Sequence, residues 1–251
     1  MKVTLLQTDI RWADPQANVR QVEEMIARQP GSDLYVLPEM WATGFATTPH
    51  EIAEDEEHSL ALAWMRQTAA RRSCAVSGSL AIRIADGTYR NRHYFVTPDA
   101  LTCYDKHHLF TYGHEDRYYS AGDKPVVATF RGRRFLLLTC YDLRFPLWAR
   151  YGRAGLYDAI IVVANWPESR QQAWRVLTLA RAVENQCYLL ACNRVGDDVF
   201  CHYSGESLVC GTKGETLVGG NRHDDCTLTA DLDFEALDSI RQRFRVLDDR
   251  D

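Results

Sequence analysis

Hydrophobic residues recur along the chain at two spacings, which predict strands and helices in alternation. Six short apolar runs predict strands: residues 3–8, 34–37, 101–105, 135–139, 158–164 and 188–192. The runs at 34–37 and 158–164 are apolar on both faces, as strands buried within a sheet are. Apolar residues three or four positions apart predict four helices: residues 15–26, 60–68, 173–183 and 234–244.

Turn-forming residues lie between some of these segments and indicate the fold class. Asp86-Gly87 lies between apolar segments 75–84 and 89–96, which predicts an antiparallel hairpin. Asp14 followed by Pro15 predicts a capped helix start. Because hairpins are interleaved with helices, we expect a mixed α/β protein rather than a purely parallel, doubly wound sheet. No repeat or linker interrupts the pattern, so we expect a single domain over residues 1–251.

Composition narrows the classes of partner and compartment. The 251 residues carry a formal charge of −5 and no long basic run, which argues against nucleic acid or an anionic membrane as a partner. No stretch approaches the roughly 18 apolar residues of a membrane span. The first nine residues turn polar too early for a signal peptide. The eight cysteines form no C-x-x-C pair, so we expect buried free thiols and a cytoplasmic protein.

Several predicted strands end on a polar or reactive residue. Glu39 follows the strand at 34–37, Lys106 follows 101–105, and Cys140 follows 135–139. Ends of core strands are rigid positions from which side chains are aimed into a shared pocket. A carboxylate can take the proton of a thiol, and an ammonium group can stabilise the resulting anions. Each residue alone is typical of a solvated strand end, whereas the three together indicate a candidate site with a cysteine nucleophile.

Blocks around these residues resemble the nitrilase, or carbon–nitrogen hydrolase, superfamily. Three of them resemble its signature blocks: Leu37-Pro38-Glu39-Met40, Tyr104-Asp105-Lys106-His107-His108-Leu109-Phe110 and Cys140-Tyr141-Asp142-Leu143-Arg144-Phe145-Pro146. Two more resemble its omega-amidase branch: Ala164-Asn165-Trp166-Pro167, and Ala180-Arg181-Ala182-Val183-Glu184-Asn185-Gln186. The matches follow the family's order and cover nearly the whole chain.

The resemblance implies a four-layer α-β-β-α sandwich, a homodimer and a set of catalytic roles. Glu39 would be the general base, Lys106 the oxyanion stabiliser and Cys140 the nucleophile. The backbone N–H of Tyr141 would be a second oxyanion donor. A further carboxylate of the family, on the loop after the lysine, is best matched by Glu115.

The same resemblance implies hydrolysis of a small ω-amide that bears a carboxylate, such as 2-oxoglutaramate or 2-oxosuccinamate, with no cofactor. Asn165 and Trp166 would line the substrate pocket. Arg170, just beyond them, is predicted either to bind the substrate carboxylate through two hydrogen bonds or to be a surface arginine or part of a structural ion pair.

Other residues favour structural interpretations. Asp142 and Arg144 are predicted to form an ion pair that braces the turn at Cys140. His107 and His108 would point to opposite sides of an extended segment, and no carboxylate cluster accompanies them, so we expect no metal site.

Three alternatives stay open. The chain could hydrolyse N-carbamoyl amino acids or another carbon–nitrogen bond. An isochorismatase-like cysteine hydrolase also combines cysteine, lysine and a carboxylate, but the hairpins and the order of the blocks disfavour it. A non-catalytic, ligand-binding relative is disfavoured because a binding pocket has no need to keep a nucleophile.

Overall fold

The computed structural model describes residues 1–250, which form fifteen strands and five α-helices. The strands are β1 (Lys2–Gln7), β2 (Leu34–Val36), β3 (Glu54–Asp55), β4 (Ala75–Arg83), β5 (Tyr89–Val96), β6 (Leu101–Asp105), β7 (Val127–Phe130), β8 (Arg133–Thr139), β9 (Ala159–Ala164), β10 (Tyr188–Asn193), β11 (Val195–Asp197), β12 (His202–Ser204), β13 (Leu208–Cys210), β14 (Thr216–Gly219) and β15 (Cys226–Asp231). The helices are α1 (Pro15–Arg28), α2 (Leu60–Arg72), α3 (Pro146–Ala149), α4 (Gln171–Glu184) and α5 (Phe234–Arg243). None of these helices is long and apolar enough to cross a membrane.

Thirteen of the strands build two mixed sheets, and β11 and β12 pair with each other in a small antiparallel sheet. One has the order β15-β1-β2-β4-β5-β6, with β3 beside β4; the other has the order β14-β13-β10-β9-β8-β7. Parallel pairs occupy the centres, namely β1 with β2, β2 with β4, β8 with β9, and β9 with β10. The outer pairs along these two orders, including the predicted β4–β5 hairpin, are antiparallel, whereas β3 pairs with β4 in parallel. The expectation of a mixed rather than purely parallel sheet is therefore confirmed.

Three apolar clusters stack these elements into four layers. The central cluster lies between the sheets and includes Leu5, Phe95, Phe135 and Ile161. A second cluster packs α1 and α2 on the outer face of the first sheet, and a third packs α4 on the outer face of the second. The predicted α-β-β-α sandwich is confirmed.

A local sequence signal explains where helix α1 begins. Pro15 opens α1, and the side chain of Asp14 accepts a hydrogen bond of 2.9 Å from the backbone N–H of Ala17. The short elements β3, β11, β12 and α3 were not predicted from the sequence. Elements of two to four residues contain too few positions to show a hydrophobic period.

Chain direction brings the predicted reactive residues to one edge of the sandwich. In the first sheet β2 and β4 are parallel, and β6 is antiparallel to β5, which is itself antiparallel to β4. The carboxyl ends of β2 and β6 therefore lie at the same edge. In the second sheet β8 and β9 are parallel and end there together. Glu39, Lys106, Cys140 and Asn165 all follow these four strand ends.

One histidine is enclosed between the two sheets. His93 is fully buried on β5, where one ring nitrogen, Nδ1, lies 3.2 Å from the carbonyl oxygen of Leu138. The other nitrogen, Nε2, lies 2.8 Å from the hydroxyl of Ser77. A carbonyl only accepts, so Nδ1 carries the proton and Nε2 accepts from Ser77. Burial lowers the pKa of His93 to about 3, which keeps the ring neutral.

Stability toward acid is expected to depend on His93. The pKa of His93 is depressed in the folded state. Its contribution to the free energy of unfolding is therefore complete above about pH 6.5 and is lost as the pH falls toward 3. In urea unfolding between pH 7.5 and 4.5, the free energy of unfolding should fall less steeply for His93→Gln than for wild type. The difference in slope should approach about 1.4 kcal/mol per pH unit. The exposed His58, changed to glutamine, is the control, and equal slopes in His93→Gln and wild type would contradict the expectation.

Candidate active site

Cys140 lies at a sharp junction between a strand and a short 3₁₀ helix. It follows β8 directly and opens the 3₁₀ turn Cys140–Arg144, with a backbone φ of 45°. A non-glycine residue in the left-handed region is strained, and such strain often fixes a functional side chain. The Cys140 thiol lies 3.9 Å from the carbonyl oxygen of Asn165, and the Glu39 carboxylate is close enough to act on its pKa. The turn thus holds the sulfur beside a carboxylate.

A buried ion cluster lies next to this thiol. The ammonium Nζ of Lys106 donates to Glu39 Oε1 and to Glu115 Oε2, both at 2.9 Å, and all three side chains are fully buried. Glu115 also accepts the backbone N–H of Phe110 at 2.6 Å. The structure therefore places Glu115, the predicted carboxylate from the loop after the lysine, in direct contact with Lys106.

Asn91 joins the two carboxylates, and no sequence pattern indicated it. Its amide Nδ2 donates to Glu39 at 2.7 Å and to Glu115 at 2.9 Å. Its Oδ1 accepts the hydroxyl of Ser79 at 2.9 Å, so the orientation of the amide is fixed. Asn91 occupies an inward position in the middle of β5, where a polar residue inside a strand is the only available signal.

Burial and charge set the protonation of these groups. Burial, reinforced by the negative charge of Glu39, raises the pKa of Cys140 well above its usual value, although the charge of Lys106 opposes this. Burial lowers the pKa of Lys106, but Glu115 and Glu39 outweigh it and the net shift is upward. Burial also raises the pKa of Glu115. Cys140 at rest is therefore a thiol beside a charged lysine, and it needs a base when it reacts.

A pocket of about 380 Å³ opens above the thiol. Its lining includes the thiol and Lys106 at one end, together with aromatic walls and two arginines: Phe45, Lys106, Phe110, Cys140, Tyr141, Arg144, Asn165, Trp166, Arg170 and Tyr203. The guanidinium of Arg170 lies 5.2 Å from the Phe110 ring, and that of Arg144 lies 4.8 Å from the Trp166 ring. Neither arginine forms a salt bridge with a carboxylate among residues 1–250. The pocket thus combines an apolar lining with two guanidinium groups that form no salt bridge in the described part of the chain.

Asn165 and Trp166 form the wall beside Glu39. The backbone N–H of Asn165 donates to Glu39 Oε2 at 2.9 Å, and its side-chain amide donates to the Glu39 carbonyl at 2.7 Å. The Oδ1 of Asn165 is buried and accepts no hydrogen bond within the described part of the chain. The indole N–H of Trp166 donates to the carbonyl of Arg170 at 2.8 Å, which holds the turn before α4 against the pocket.

The predicted ion pair between Asp142 and Arg144 is wrong. The Asp142 carboxylate faces His108 and Tyr104 instead, while Arg144 extends over Trp166 into the pocket. In a 3₁₀ turn, residues two apart do not share a face, which separates the two side chains. The sequence reasoning thus overlooked Arg144 as a pocket residue.

Two expectations about histidine and cysteine side chains also need correction. His107 and His108 do not point to opposite sides; their rings lie 4.5 Å apart, because β6 ends at Asp105 and the chain bends there. The eight cysteines are free thiols, but Cys103 is exposed. Cys140, Cys201 and Cys226 are only partly buried, so burial does not hold for the whole set.

A cluster of Glu168, His202 and His223 lies near the pocket mouth and has ligand atoms within 4.8 Å of one another. Arg222 already forms a salt bridge with the Glu168 carboxylate. A fixed guanidinium at that carboxylate opposes a metal cation, so we interpret the cluster as a surface ion network.

Comparison with known proteins agrees with this geometry. Residues 2–242 match the family model described as carbon-nitrogen hydrolase. The chain is 40% identical to the omega-amidase YafV of Yersinia enterocolitica, over all of this chain and 97% of that protein. It is 34% identical to the 2-oxoglutaramate amidase of Bacillus subtilis, over 78% of this chain and 77% of that protein.

A solved structure also shows similarity to carbon–nitrogen hydrolases. A carbon–nitrogen hydrolase superfamily protein from Xanthomonas campestris, whose structure carries an arsenic adduct in its active site, superposes with a TM-score of 0.94 and 37% identity. The alignment covers all of this chain and 97% of that one. With a family match over nearly its whole length and relatives of this similarity, the chain belongs to the carbon–nitrogen hydrolase family.

Proposed function

We propose that the protein hydrolyses the ω-amide of small carboxylate-bearing amides, of the 2-oxoglutaramate or 2-oxosuccinamate type, to the acid and ammonia. The observation that carries the proposal is one pocket with a thiol and a lysine at its base, a buried carboxylate 2.9 Å from that lysine, and two guanidinium groups in its wall without a salt bridge to any described residue. Similarity to an omega-amidase and to a 2-oxoglutaramate amidase supports this substrate class.

In the first half of the reaction, Cys140 attacks the amide carbon while Glu39 accepts the thiol proton. Because the thiol is protonated at rest, proton transfer accompanies attack. Lys106 and the backbone N–H of Tyr141 stabilise the tetrahedral oxyanion. The carbon–nitrogen bond then breaks, and Glu39 returns the proton to the nitrogen, which leaves as ammonia.

In the second half, water replaces ammonia as the partner of Glu39. Glu39 takes a proton from the water, which attacks the thioester carbon, and the oxyanion forms again between Lys106 and Tyr141. The carbon–sulfur bond breaks, and the proton held by Glu39 passes to the departing sulfur of Cys140. The products are the carboxylic acid and the original thiol, so the cycle needs no cofactor.

Glu115 and Asn165 complete the arrangement without forming bonds to the substrate carbon. Glu115, with Asn91, holds Lys106 and Glu39 in place through hydrogen bonds of 2.9 Å or less. Asn165 is fixed by Glu39, and its unpaired Oδ1 is an acceptor suited to the N–H of an amide substrate.

Arg170 and Arg144 are the groups suited to the substrate carboxylate. Both line the pocket, and each guanidinium lies over an aromatic ring rather than against an acid. Asp198, an acid in the same wall, accepts two backbone N–H groups and the hydroxyl of Tyr203. Its acceptor atoms are thus engaged, which leaves the arginines free to bind an anionic ligand.

Arg170→Lys is expected to lower kcat/KM for carboxylate-bearing ω-amides. The loss should correspond to roughly 1–3 kcal/mol of transition-state stabilisation, the scale of a charge-assisted hydrogen bond. Lysine keeps the charge but loses the planar pair of donors. Turnover of butyramide, which has no carboxylate, should hardly change. Arg144→Lys, assayed beside it, shows which arginine contributes more. If both variants lose kcat/KM equally on charged and neutral amides, neither arginine binds the substrate carboxylate.

The substrate class is tested most directly by ammonia release from a panel of ω-amides, N-carbamoyl amino acids and nitriles. Preference for 2-oxo-dicarboxylic ω-amides supports the proposal. Preference for N-carbamoyl amino acids would favour the alternative hydrolase. Binding without turnover in the intact protein would favour a non-catalytic relative.

We further propose that the chain works as a single domain in a cytoplasmic homodimer. Both sheets contribute residues to the pocket, and all eight thiols are free, as in a reducing compartment. Val183, Phe244 and Val246 line a shallow surface groove and are exposed, which supports an apolar contact with a second copy. Analytical ultracentrifugation measures the oligomeric state.

A further inference from the structure

Asp142 forms four hydrogen bonds from a fully buried position. Its Oδ2 accepts the backbone N–H of Thr139 at 3.0 Å and the hydroxyl of Tyr104 at 2.7 Å. Its Oδ1 lies 3.0 Å from the backbone nitrogen of His108 and 2.8 Å from Nδ1 of the same residue. The carboxylate is therefore saturated with donors that come from two different segments of the chain.

These segments belong to different sheets. Thr139 ends β8 of the second sheet, directly before Cys140, whereas Tyr104 and His108 flank Lys106 at the end of β6 in the first sheet. The two proposed oxyanion donors are distributed in the same way. Lys106 comes from the first sheet and the N–H of Tyr141 from the second, so their separation depends on how the sheet edges are joined.

Asp142, Tyr104 and His108 form a junction between the two sheet edges, and neighbouring contacts fix its orientation. The Tyr104 hydroxyl accepts the indole N–H of Trp148 at 3.0 Å and the backbone N–H of His107 at 3.1 Å, so its own proton is directed to Asp142. The His108 ring stacks on Phe145 at 3.7 Å between centroids, with the two ring planes nearly parallel at 4°. The junction is thus held from both sides by aromatic groups.

We propose that Asp142 and His108 are positioning residues that set the distance between the two oxyanion donors by locking the Cys140 turn to the Lys106 segment. The proposal rests on the proposed function, because it assumes that Lys106 and Tyr141 hold the oxyanion. It assigns neither residue a contact with substrate. Their effect is on the transition state and appears in kcat rather than in substrate binding.

The Asp142→Asn variant tests this directly. An asparagine keeps the size of the side chain but presents one NH₂ group to donors that face a carboxylate oxygen, so one half of the junction loses its acceptor. A displacement on the order of 1 Å at a reacting centre costs about 10²-fold in rate. We expect kcat for an ω-amide to fall by roughly 10- to 100-fold with KM within about threefold.

Alkylation of Cys140 by iodoacetamide separates positioning from general disruption. Displacement of iodide forms no oxyanion, so the alkylation rate depends on the thiol and the charges beside it, whereas turnover also needs the hydrogen bonds of the two oxyanion donors. The alkylation rate of Asp142→Asn should stay within about threefold of wild type while kcat falls. Asp158→Asn is the matched control, because Asp158 is 2% exposed and accepts the backbone N–H of Arg134 far from the pocket. It should lower the melting temperature without changing kcat.

His108 provides a second pair of variants if Asp142→Asn does not fold. His108→Ala removes the Nδ1 contact and the stacking, whereas His108→Asn restores a donor near the position of Nδ1. We expect kcat to fall about tenfold in His108→Ala and to recover in part in His108→Asn. The proposal is overturned if kcat of the folded variants matches wild type, or if alkylation and turnover fall together. The proposed function itself fails only if wild-type protein releases no ammonia from ω-amides.

Discussion

Replacing Cys140 by alanine is expected to abolish ammonia release while the protein stays folded. The sulfur of Cys140 is the proposed site of covalent attachment, so its loss prevents formation of the thioester intermediate. The substitution deletes one sulfur at the floor of an open pocket, so little packing is lost. Ammonia release and a thermal melt measure the two effects. At least about a 10³-fold fall in kcat is expected, in line with losses on removing a nucleophile.

A second thiol in the same pocket supplies the control. Cys201 is partly buried and lines the pocket wall, but the ion cluster of Lys106 and the two glutamates lies beside Cys140. Cys201→Ala should therefore keep activity within a few-fold of wild type. If Cys140→Ala keeps comparable activity, the cysteine mechanism is excluded. If Cys201→Ala loses activity instead, the nucleophile has been assigned to the wrong thiol.

Much of the fold could be predicted because several long elements have a clear hydrophobic period. The stripe of apolar residues in α4 and the β-branched run of β9 are long enough to distinguish helix from strand. The packing of two sheets against each other came only with the family resemblance. Which strands become neighbours depends on contacts between residues far apart in sequence, such as β1 with β15.

The reactive residues of the site were also accessible from the sequence, because they follow strand ends. Glu39, Lys106 and Cys140 each follow the end of a predicted strand within two residues. Asn91 was not accessible in this way, because it lies within β5 and its role depends on two carboxylates from other segments. Arg144 was assigned to Asp142 because the two are close in sequence, whereas the 3₁₀ turn directs them apart.

Lys106→Met is the variant that combines the largest effects on activity and on stability. Methionine keeps the shape of the lysine side chain as far as Cε but lacks the ammonium nitrogen that lies 2.9 Å from both Glu39 and Glu115. Loss of an oxyanion donor should lower kcat by roughly 10²-fold or more, with a smaller change in KM. Breaking a buried ion cluster by removing one partner typically costs about 3–5 kcal/mol of stability.

The stability loss of Lys106→Met should depend on pH in a defined direction. Without the ammonium group, one buried carboxylate has a folded-state pKa raised above its unfolded value, so the folded protein binds a proton that the unfolded chain releases. Its stability deficit relative to wild type should be large at pH 8 and should shrink as the pH falls toward about 5. Urea unfolding at the two pH values, with wild type alongside, measures this difference.

A double variant separates support of the fold from catalysis. Lys106→Met with Glu115→Gln removes one charge of each sign and leaves Glu39 as the single buried carboxylate of the cluster, still hydrogen-bonded to Asn91 and to the N–H of Asn165. The double variant should regain most of the stability at pH 8 and stay as inactive as Lys106→Met. Recovery of activity together with stability would mean that Lys106 acts only by holding the fold, and the oxyanion would then depend on the backbone N–H of Tyr141 alone.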